Sequence, residues 1–339
     1  MKRILVIATG GTIASVAQGE GGALAPGISG EELMERVPLI GGLCELEVEQ
    51  LMNIDSTNMR PRGWLAIARC IRERYDAYDG FVVLHGTDTM AYSAAALSYL
   101  VQGSRKPIVL TGSQQPMAAP FTDAKLNLYH SLLWATDPAA SDVHVVFGGQ
   151  VIVGTRAHKQ RTMSFNAFTS VNWPLPAIIR GERVVRDAGP GMSLGAVYAR
   201  GAARPSFYER LDERVAVLKL TPGLDGAILE ALASSCNALV LETFGIGGIP
   251  DALARPLLAW ADAGNTLVLT TQVPEEGLDL GVYEVGRAFA DHPGVLRAAD
   301  MTIEATVAKT MWALGNADSP AAVEELFYRV VNHDRVSRA

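Results

Sequence analysis

Short apolar runs alternate with amphipathic segments along the first half of the chain. The runs have the length of buried strands and lie at 4–8, 81–84, 107–111 and 143–147. Helical periodicity marks the segments between them, at 61–75, 89–101 and 122–135. Strands that alternate with helices in this way predict an α/β fold built on a doubly wound, mostly parallel sheet.

The pattern changes near residue 180, where small and polar residues replace the long apolar runs. We therefore predict an N-terminal domain over 1–182, a linker over 183–214 and a smaller α/β domain over 215–339. The second domain has its own series of predicted elements. These are strands at 215–220, 238–242 and 266–271, and helices near 225–235, 251–263, 301–314 and 320–332.

Composition narrows the classes of protein that the chain can represent. The 339 residues are 49% apolar, which is enough for a core in each domain, and the net charge of −7 offers no basic surface for nucleic acid. No apolar stretch reaches the ~18 residues of a membrane span, and the chain runs from Met1 straight into a strand rather than a signal peptide. Three widely spaced cysteines are typical of reduced thiols, so we expect a cytoplasmic protein without a metal site.

Two threonine-centred turns follow predicted strands and carry the candidate chemistry. One is Thr-Gly-Gly-Thr at 9–12, and the other is His-Gly-Thr-Asp-Thr at 85–89. Ligands collect at the carboxyl ends of strands in open α/β sheets, and glycine lets a backbone approach them closely. Two hydroxyls and a carboxylate at such an edge favour acyl transfer.

A threonine hydroxyl needs a base before it can attack an amide, and a lysine held beside it in a dry pocket can serve. Lys159 follows a strand-like run at 151–153, but it is one of six lysines, and Arg156 and Arg161 lie close to it in the chain. Composition therefore does not select Lys159.

Several segments, taken together with Lys159, resemble the bacterial-type L-asparaginase family, in particular its cytoplasmic type I branch. They are spread over nearly the whole chain, at 8–14, 55–59, 79–93, 111–114 and 299–306. The resemblance implies hydrolysis of L-asparagine to L-aspartate and ammonia with no metal or organic cofactor. It also implies a homodimer or homotetramer.

The resemblance further implies the roles of individual catalytic residues. Thr12 would be the nucleophile that forms an acyl-enzyme, and Thr87, Asp88 and Lys159 would form a triad that moves protons. Which threonine attacks first stays open. Asp88 would also pair with the α-ammonium group of the substrate.

A second set of residues would bind the substrate, again by resemblance. Ser56 would donate to the α-carboxylate, helped by backbone N–H groups near Gly86, and the backbone carbonyl of Ser113 would line the side of the amide nitrogen. The rest of the predicted set is Gly11, Asp55 and Thr57.

Each of these residues has a purely structural alternative. Thr12 could cap the segment after the first strand, Asp88 could be only the N-cap of the helix at 89–101, and Ser56 could be an ordinary turn residue. For His85 we favour a structural hydrogen bond over catalysis.

Three other functions compete with an asparaginase. L-Glutamine is a rival substrate, because one methylene is worth only about 1–3 kcal/mol of discrimination. A weakly active amino-acid sensor is a second rival, since residues 19–26 lack the tyrosine that many family members carry in this loop. The asparaginase-like component of a tRNA-dependent amidotransferase is a third, which we favour less because the chain starts at the first strand.

Overall fold

The computed structural model describes residues 1–11, 30–186, 204–281, 288–289 and 292–336. The chain divides into two compact units, Met1–Glu209 and Arg210–Ala339. Most of the predicted linker at 183–214 falls on 187–203, outside the described residues. Strands occupy Arg183–Val185 and Ser206–Phe207 on either side of that gap. The linker and the domain limits at 182 and 215 stay predictions.

An eight-stranded mixed sheet forms the centre of the N-terminal unit. Five parallel strands stand in the order β2-β1-β3-β5-β6, and β7, β10 and β11 continue the sheet antiparallel beyond β6. Two short pairs, β4 with β12 and β8 with β9, lie apart from it. The strands are β1 Lys2–Gly10, β2 Cys44–Ile54, β3 Gly80–Leu84, β4 Val101–Gln102, β5 Ile108–Thr111, β6 Val143–Phe147, β7 Gln150–Val153, β8 Ala157–Lys159, β9 Phe168–Ser170, β10 Ala177–Arg180, β11 Arg183–Val185 and β12 Ser206–Phe207.

Four α-helices are described in this unit. They are α1 Gly30–Arg36, α2 Pro61–Arg74, α3 Met90–Leu100 and α4 Ala124–Ala135. Two single-turn 3₁₀ helices, Pro38–Gly42 and Ser56–Asn58, precede and follow β2. All but one residue of α3 is buried, so this helix is enclosed by protein on every side.

Three strands that form apolar runs in the sequence are fully buried. Every residue of β3, β5 and β6 is buried, as expected for parallel strands covered on both faces. β2, by contrast, lies at the edge of the sheet with Glu45 and Glu47 exposed, and its alternating sequence was not predicted as a strand.

The order of the parallel strands reverses between β1 and β3, the second and third in sheet order. Chain connections leave in opposite directions from this point, and the crevice at the carboxyl ends of the two strands is the usual ligand site of a doubly wound sheet. The predicted fold class is confirmed, and the two threonine-centred turns belong to these two strands.

The C-terminal unit has a smaller sheet of four parallel strands in sequence order, β13 to β16. These are β13 Val215–Lys219, β14 Ala238–Thr243, β15 Thr266–Thr271 and β16 Val295–Arg297. The described helices are α5 Ala227–Ala233, α6 Asp251–Asp262, α7 Ile303–Asn316 and α8 Pro320–Tyr328. The predicted smaller α/β domain is therefore confirmed as a fold. In the described parts of both units, no helix combines the length and apolarity that crossing a bilayer requires.

Candidate active site

Glycines bring the ends of the N-terminal strands into contact at the reversal of strand order. Gly11 has a φ of 81°, and a Cβ there would lie 2.6 Å from the backbone nitrogen of Gly86. A Cβ on Gly86 would in turn lie 2.5 Å from Oγ of Ser56, and one on Gly112 would lie 2.2 Å from the carbonyl oxygen of His85. Any side chain at these positions would push the turns apart, so glycine is required for the turns after β1, β2, β3 and β5 to meet.

Thr87, Asp88 and Lys159 form a connected polar group beside these glycines. Nζ of Lys159 donates to Oγ1 of Thr87 at 2.8 Å and to Oδ1 of Asp88 at 2.6 Å. The lysine side chain is 15% exposed, whereas the Asp88 side chain is 57% exposed. One end of the group is therefore shielded from water, while the carboxylate is open to a ligand.

A short hairpin places Lys159 at this distance. Lys159 ends β8 and pairs with Phe168 of β9, and the N–H of Gln160 donates to the carbonyl of Ala167 just beyond. The two nearby arginines are engaged elsewhere: Arg156 is fully buried with its guanidinium over the ring of Trp173, and Arg161 donates to the carbonyl of Asn166. The geometry thus selects the lysine where the sequence did not.

The N-cap alternative for Asp88 is wrong. Thr89, not Asp88, occupies the N-cap position of α3, and its side chain makes no capping hydrogen bond. The Thr89 hydroxyl instead donates to the carbonyl of Ser56 at 2.7 Å, which joins the turn after β3 to the turn after β2.

The turn after β2 holds three of the predicted binding residues. Oδ1 of Asp55 accepts from the backbone N–H of Thr57 at 2.9 Å and from its hydroxyl at 3.0 Å. This capping stabilises the 3₁₀ turn and points the buried Ser56 at Gly86. Ser56 is thus in the crevice, whereas Asp55 and Thr57 are exposed.

Gln114 is a member of the site that the sequence did not single out. The hydroxyl of Thr87 donates to its Oε1 at 3.1 Å, and its Nε2 donates to the carbonyl of Ser164 at 3.3 Å. The neighbouring Ser113 is buried, and its hydroxyl donates to the carbonyl of Gln115. The family-like segment at 111–114 contains Gln114, but nothing in the sequence indicates which hydroxyl it meets.

A buried series of hydrogen bonds stabilises the turn after β3. The Trp64 indole donates to Oγ of Ser93 at 2.8 Å, Ser93 lies 2.8 Å from Nε2 of His85, and Nδ1 of His85 lies 2.7 Å from the carbonyl oxygen of Gly86. Because an indole only donates and a carbonyl only accepts, the imidazole carries its proton on Nδ1, and Ser93 donates to Nε2. Burial lowers the pKa of His85 to about 4, so the ring is neutral near pH 7. The expected structural role of His85 is confirmed.

Thr12 lies among residues 12–29, outside the described residues, so its predicted role stays a prediction. Gly11, immediately before it, lies against Gly86. Within the described ranges, no three His, Cys, Asp or Glu side chains are grouped as a metal site would require.

Comparison with known proteins places both units in one family. The family model "Asparaginase, N-terminal" matches residues 3–189, and "Glutaminase/Asparaginase C-terminal domain" matches residues 214–327. The L-asparaginase of Thermococcus kodakarensis is 36% identical over 334 residues, 96% of this chain and 97% of that protein. One component of the glutamyl-tRNA(Gln) amidotransferase of Aeropyrum pernix is 35% identical over 339 residues, 97% of this chain and 78% of that protein.

A solved structure with a similar fold is that of L-asparaginase I from Vibrio cholerae, with a TM-score of 0.84 and 27% identity over 99% of each chain. The two family domains appear in the same order as the two units of the fold. The chain therefore belongs to the asparaginase family of amidohydrolases, with its resemblance to the type I branch confirmed.

Proposed function

We propose that the protein hydrolyses L-asparagine to L-aspartate and ammonia through a threonine acyl-enzyme. The observation that carries the proposal is the contact of Lys159 Nζ with both Thr87 and Asp88 at the crevice between β1 and β3. A lysine held between a hydroxyl and a carboxylate can, once its amine is neutral, take a proton from the first while the second orients it. The similarity to an L-asparaginase over nearly the full length of both proteins supports the choice of substrate.

The reaction has two balanced steps. In the first, the hydroxyl of Thr12 adds to the side-chain amide carbon, the C–N bond breaks, and the nitrogen leaves as ammonium with one proton from that hydroxyl and one from Lys159. In the second, water adds to the ester and the bond to the Thr12 oxygen breaks. One water proton passes through Thr87 to Lys159, the other goes to the Thr12 oxygen, and L-aspartate leaves.

The charges of the crevice suit a small zwitterion. The exposed carboxylate of Asp88 can bind the α-ammonium group, and the hydroxyl of Ser56 beside Gly86 can donate to the α-carboxylate. Backbone N–H groups near Gly86 and Thr87 would help Ser56 to bind the α-carboxylate.

Ammonia release by the purified chain tests the proposal. L-Asparagine and L-glutamine are each supplied to the wild type and to the variants T12A and K159M. K159M removes the ammonium group but keeps most of the aliphatic stem, and we expect it to lower kcat by about 10²- to 10⁴-fold. K125M, at an exposed lysine in α4, is the matched control and should hydrolyse like the wild type.

The outcomes separate the rival functions. Turnover of both amides at similar kcat/KM would identify a mixed glutaminase-asparaginase, and saturable binding of asparagine without ammonia would identify a sensor. The similarity to an amidotransferase component favours one further candidate, a supplier of ammonia to a partner enzyme. That candidate requires ammonia release to rise when the partner is added.

We further propose that the protein is a cytoplasmic homodimer or homotetramer. Phe121 and Met163 are 85% and 83% exposed, which suits residues covered by a second copy. Burial raises the pKa of the Cys44 thiol to about 11 and that of Cys70 to about 12, as suits cysteines that stay reduced. The molar mass in solution from light scattering tests the oligomer, and a mass of one chain would refute it.

A further inference from the structure

The chemistry of the partners determines which atom donates in each of the two hydrogen bonds described at the Thr87 hydroxyl. The Lys159 ammonium group can only donate, so Oγ1 of Thr87 is the acceptor in their 2.8 Å contact. The hydroxyl proton of Thr87 must then point to another acceptor. Oε1 of Gln114 lies 3.1 Å away and is such an acceptor.

The orientation of the Gln114 amide is also determined. Its Nε2 donates to the carbonyl oxygen of Ser164, which accepts only, and so Oε1 faces Thr87. The backbone N–H of Gln114 donates to both carboxylate oxygens of the buried Asp123, at 3.1 and 3.0 Å. Gln114 is therefore held at its main chain and at both ends of its amide.

We infer that Gln114 is a positioning residue that holds the Thr87 proton while Lys159 is charged and releases it when Lys159 is neutral. The inference rests on the proposed function. After the lysine has given a proton to the leaving ammonia, its amine becomes an acceptor. The Thr87 O–H then turns from Gln114 to Nζ, and its Oγ lone pair turns toward the attacking water.

Deacylation restores the first arrangement without any further reactant. Water loses one proton to Oγ1 of Thr87 as its oxygen bonds to the acyl carbon, and the original Thr87 proton passes to Nζ. The bond between the acyl carbon and the Thr12 oxygen then breaks, and the second water proton goes to that oxygen. The new ammonium group again donates to Oγ1, and the new hydroxyl proton returns to Oε1 of Gln114. Gln114 thus sets the direction of the relay.

Two substitutions should move the pH dependence of kcat in opposite directions. In Gln114→Leu the Thr87 hydroxyl proton loses the amide oxygen that accepted it, and the neutral amine of Lys159 is the acceptor that replaces it. The substitution therefore favours the neutral form of Lys159. The acid limb of the pH profile of kcat should then shift to lower pH by about half a unit. We also expect kcat to fall about 10-fold and KM to change less than about 2-fold. In Gln114→Glu a carboxylate favours the charged lysine, and the acid limb should move up by about one pH unit.

Gln115 supplies matched controls. This residue is exposed, and its backbone N–H and carbonyl make hydrogen bonds that a substitution of the side chain leaves in place. Gln115→Leu and Gln115→Glu therefore make the same side-chain changes at the next position in the chain. Both controls should keep the wild-type profile. A loss of packing alone would lower stability without moving the acid limb in opposite directions.

The experiment is the pH profile of kcat for asparagine hydrolysis by the wild type and the four variants, with Tm measured for each. Opposite shifts in the Gln114 variants and none in the controls support the inference. Shifts in one direction, no shift, or an equal shift in Gln115→Glu overturn it. If Gln114→Leu does not fold, the comparison of Gln114→Glu with Gln115→Glu decides. A wild type that releases no ammonia would instead refute the proposed function.

Discussion

Acidification should destabilise the fold through one buried imidazole, that of His85. The ring donates from Nδ1 to the carbonyl of Gly86 and accepts from Ser93 at Nε2, so a second proton would turn this acceptor into a donor. A proton added at Nε2 would meet the Ser93 hydroxyl proton, so Ser93 would have to turn that proton away and accept from both His85 and Trp64. Protonation of His85 therefore reverses the hydrogen bond with Ser93 and places a charge on a fully buried ring beneath the candidate active site.

The size of the effect follows from the difference in pKa between the two states. Burial lowers the pKa from its ordinary value of 6.5 to about 4 in the folded protein. The unfolded chain therefore binds more protons than the folded one below pH 6.5, and the free energy of unfolding falls as the pH falls. The loss is about 2 kcal/mol at pH 5 and about 3 kcal/mol at pH 4 relative to pH 8.

A variant without the titrating group isolates this contribution. His85→Asn keeps an N–H donor that can face the Gly86 carbonyl but cannot titrate. Two other buried groups act in both proteins: burial lowers the pKa of His130, and it raises that of Asp142 to about 6, which has the opposite effect on stability at low pH. Their effects cancel when the variant is compared with the wild type.

The assay is urea unfolding at pH 8, 6 and 5 for both proteins, together with an NMR titration of the His85 ring. We expect the wild type to lose about 2 kcal/mol more than the variant between pH 8 and pH 5. Equal losses, or a ring that titrates with a midpoint near the ordinary value for histidine, would refute the reasoning.

Two further substitutions test the packing. Gly86→Ala places a Cβ 2.5 Å from Oγ of Ser56, so we expect the free energy of unfolding to fall by about 1–3 kcal/mol and kcat/KM to fall at least about 10-fold. The control is Gly41→Ala, whose Cβ would meet nothing within 4 Å. In the C-terminal unit, Lys309 and Asp334 form a fully buried ion pair, so Lys309→Met should lower the free energy of unfolding by about 3–5 kcal/mol. Adding Asp334→Leu should recover much of that loss in urea unfolding, whereas a double variant as unstable as the single one would contradict it.

The elements that the sequence predicted well are those whose burial is uniform. β3, β5 and β6 are buried throughout, so their apolar runs marked them within a residue or two. The predicted helix at 61–75 is observed as Pro61–Arg74 for a similar reason, because its apolar residues recur on one face. β2 was missed because an edge strand alternates polar and apolar residues, and its partner β1 lies more than 30 residues earlier in the chain.

Different physical reasons limited the prediction of the site. Thr87 and Asp88 were found because they follow a buried strand, and the carboxyl end of such a strand is a general ligand position. Lys159 lies 72 residues beyond Thr87, and only the pairing of β8 with β9 brings the two together. A resemblance to a family could name that lysine, whereas periodicity and composition could not.

The hydrogen bonds of Gln114 identify it as a site residue, whereas its residue type does not. Glutamine in a polar turn is ordinarily a surface residue, so its type carries no signal. Because the Lys159 ammonium group donates to the Thr87 oxygen, however, the Thr87 hydroxyl proton needs an acceptor of its own. In the proposed proton relay, Gln114 therefore joins Thr87, Asp88 and Lys159, because it is the described side chain whose oxygen accepts from Thr87.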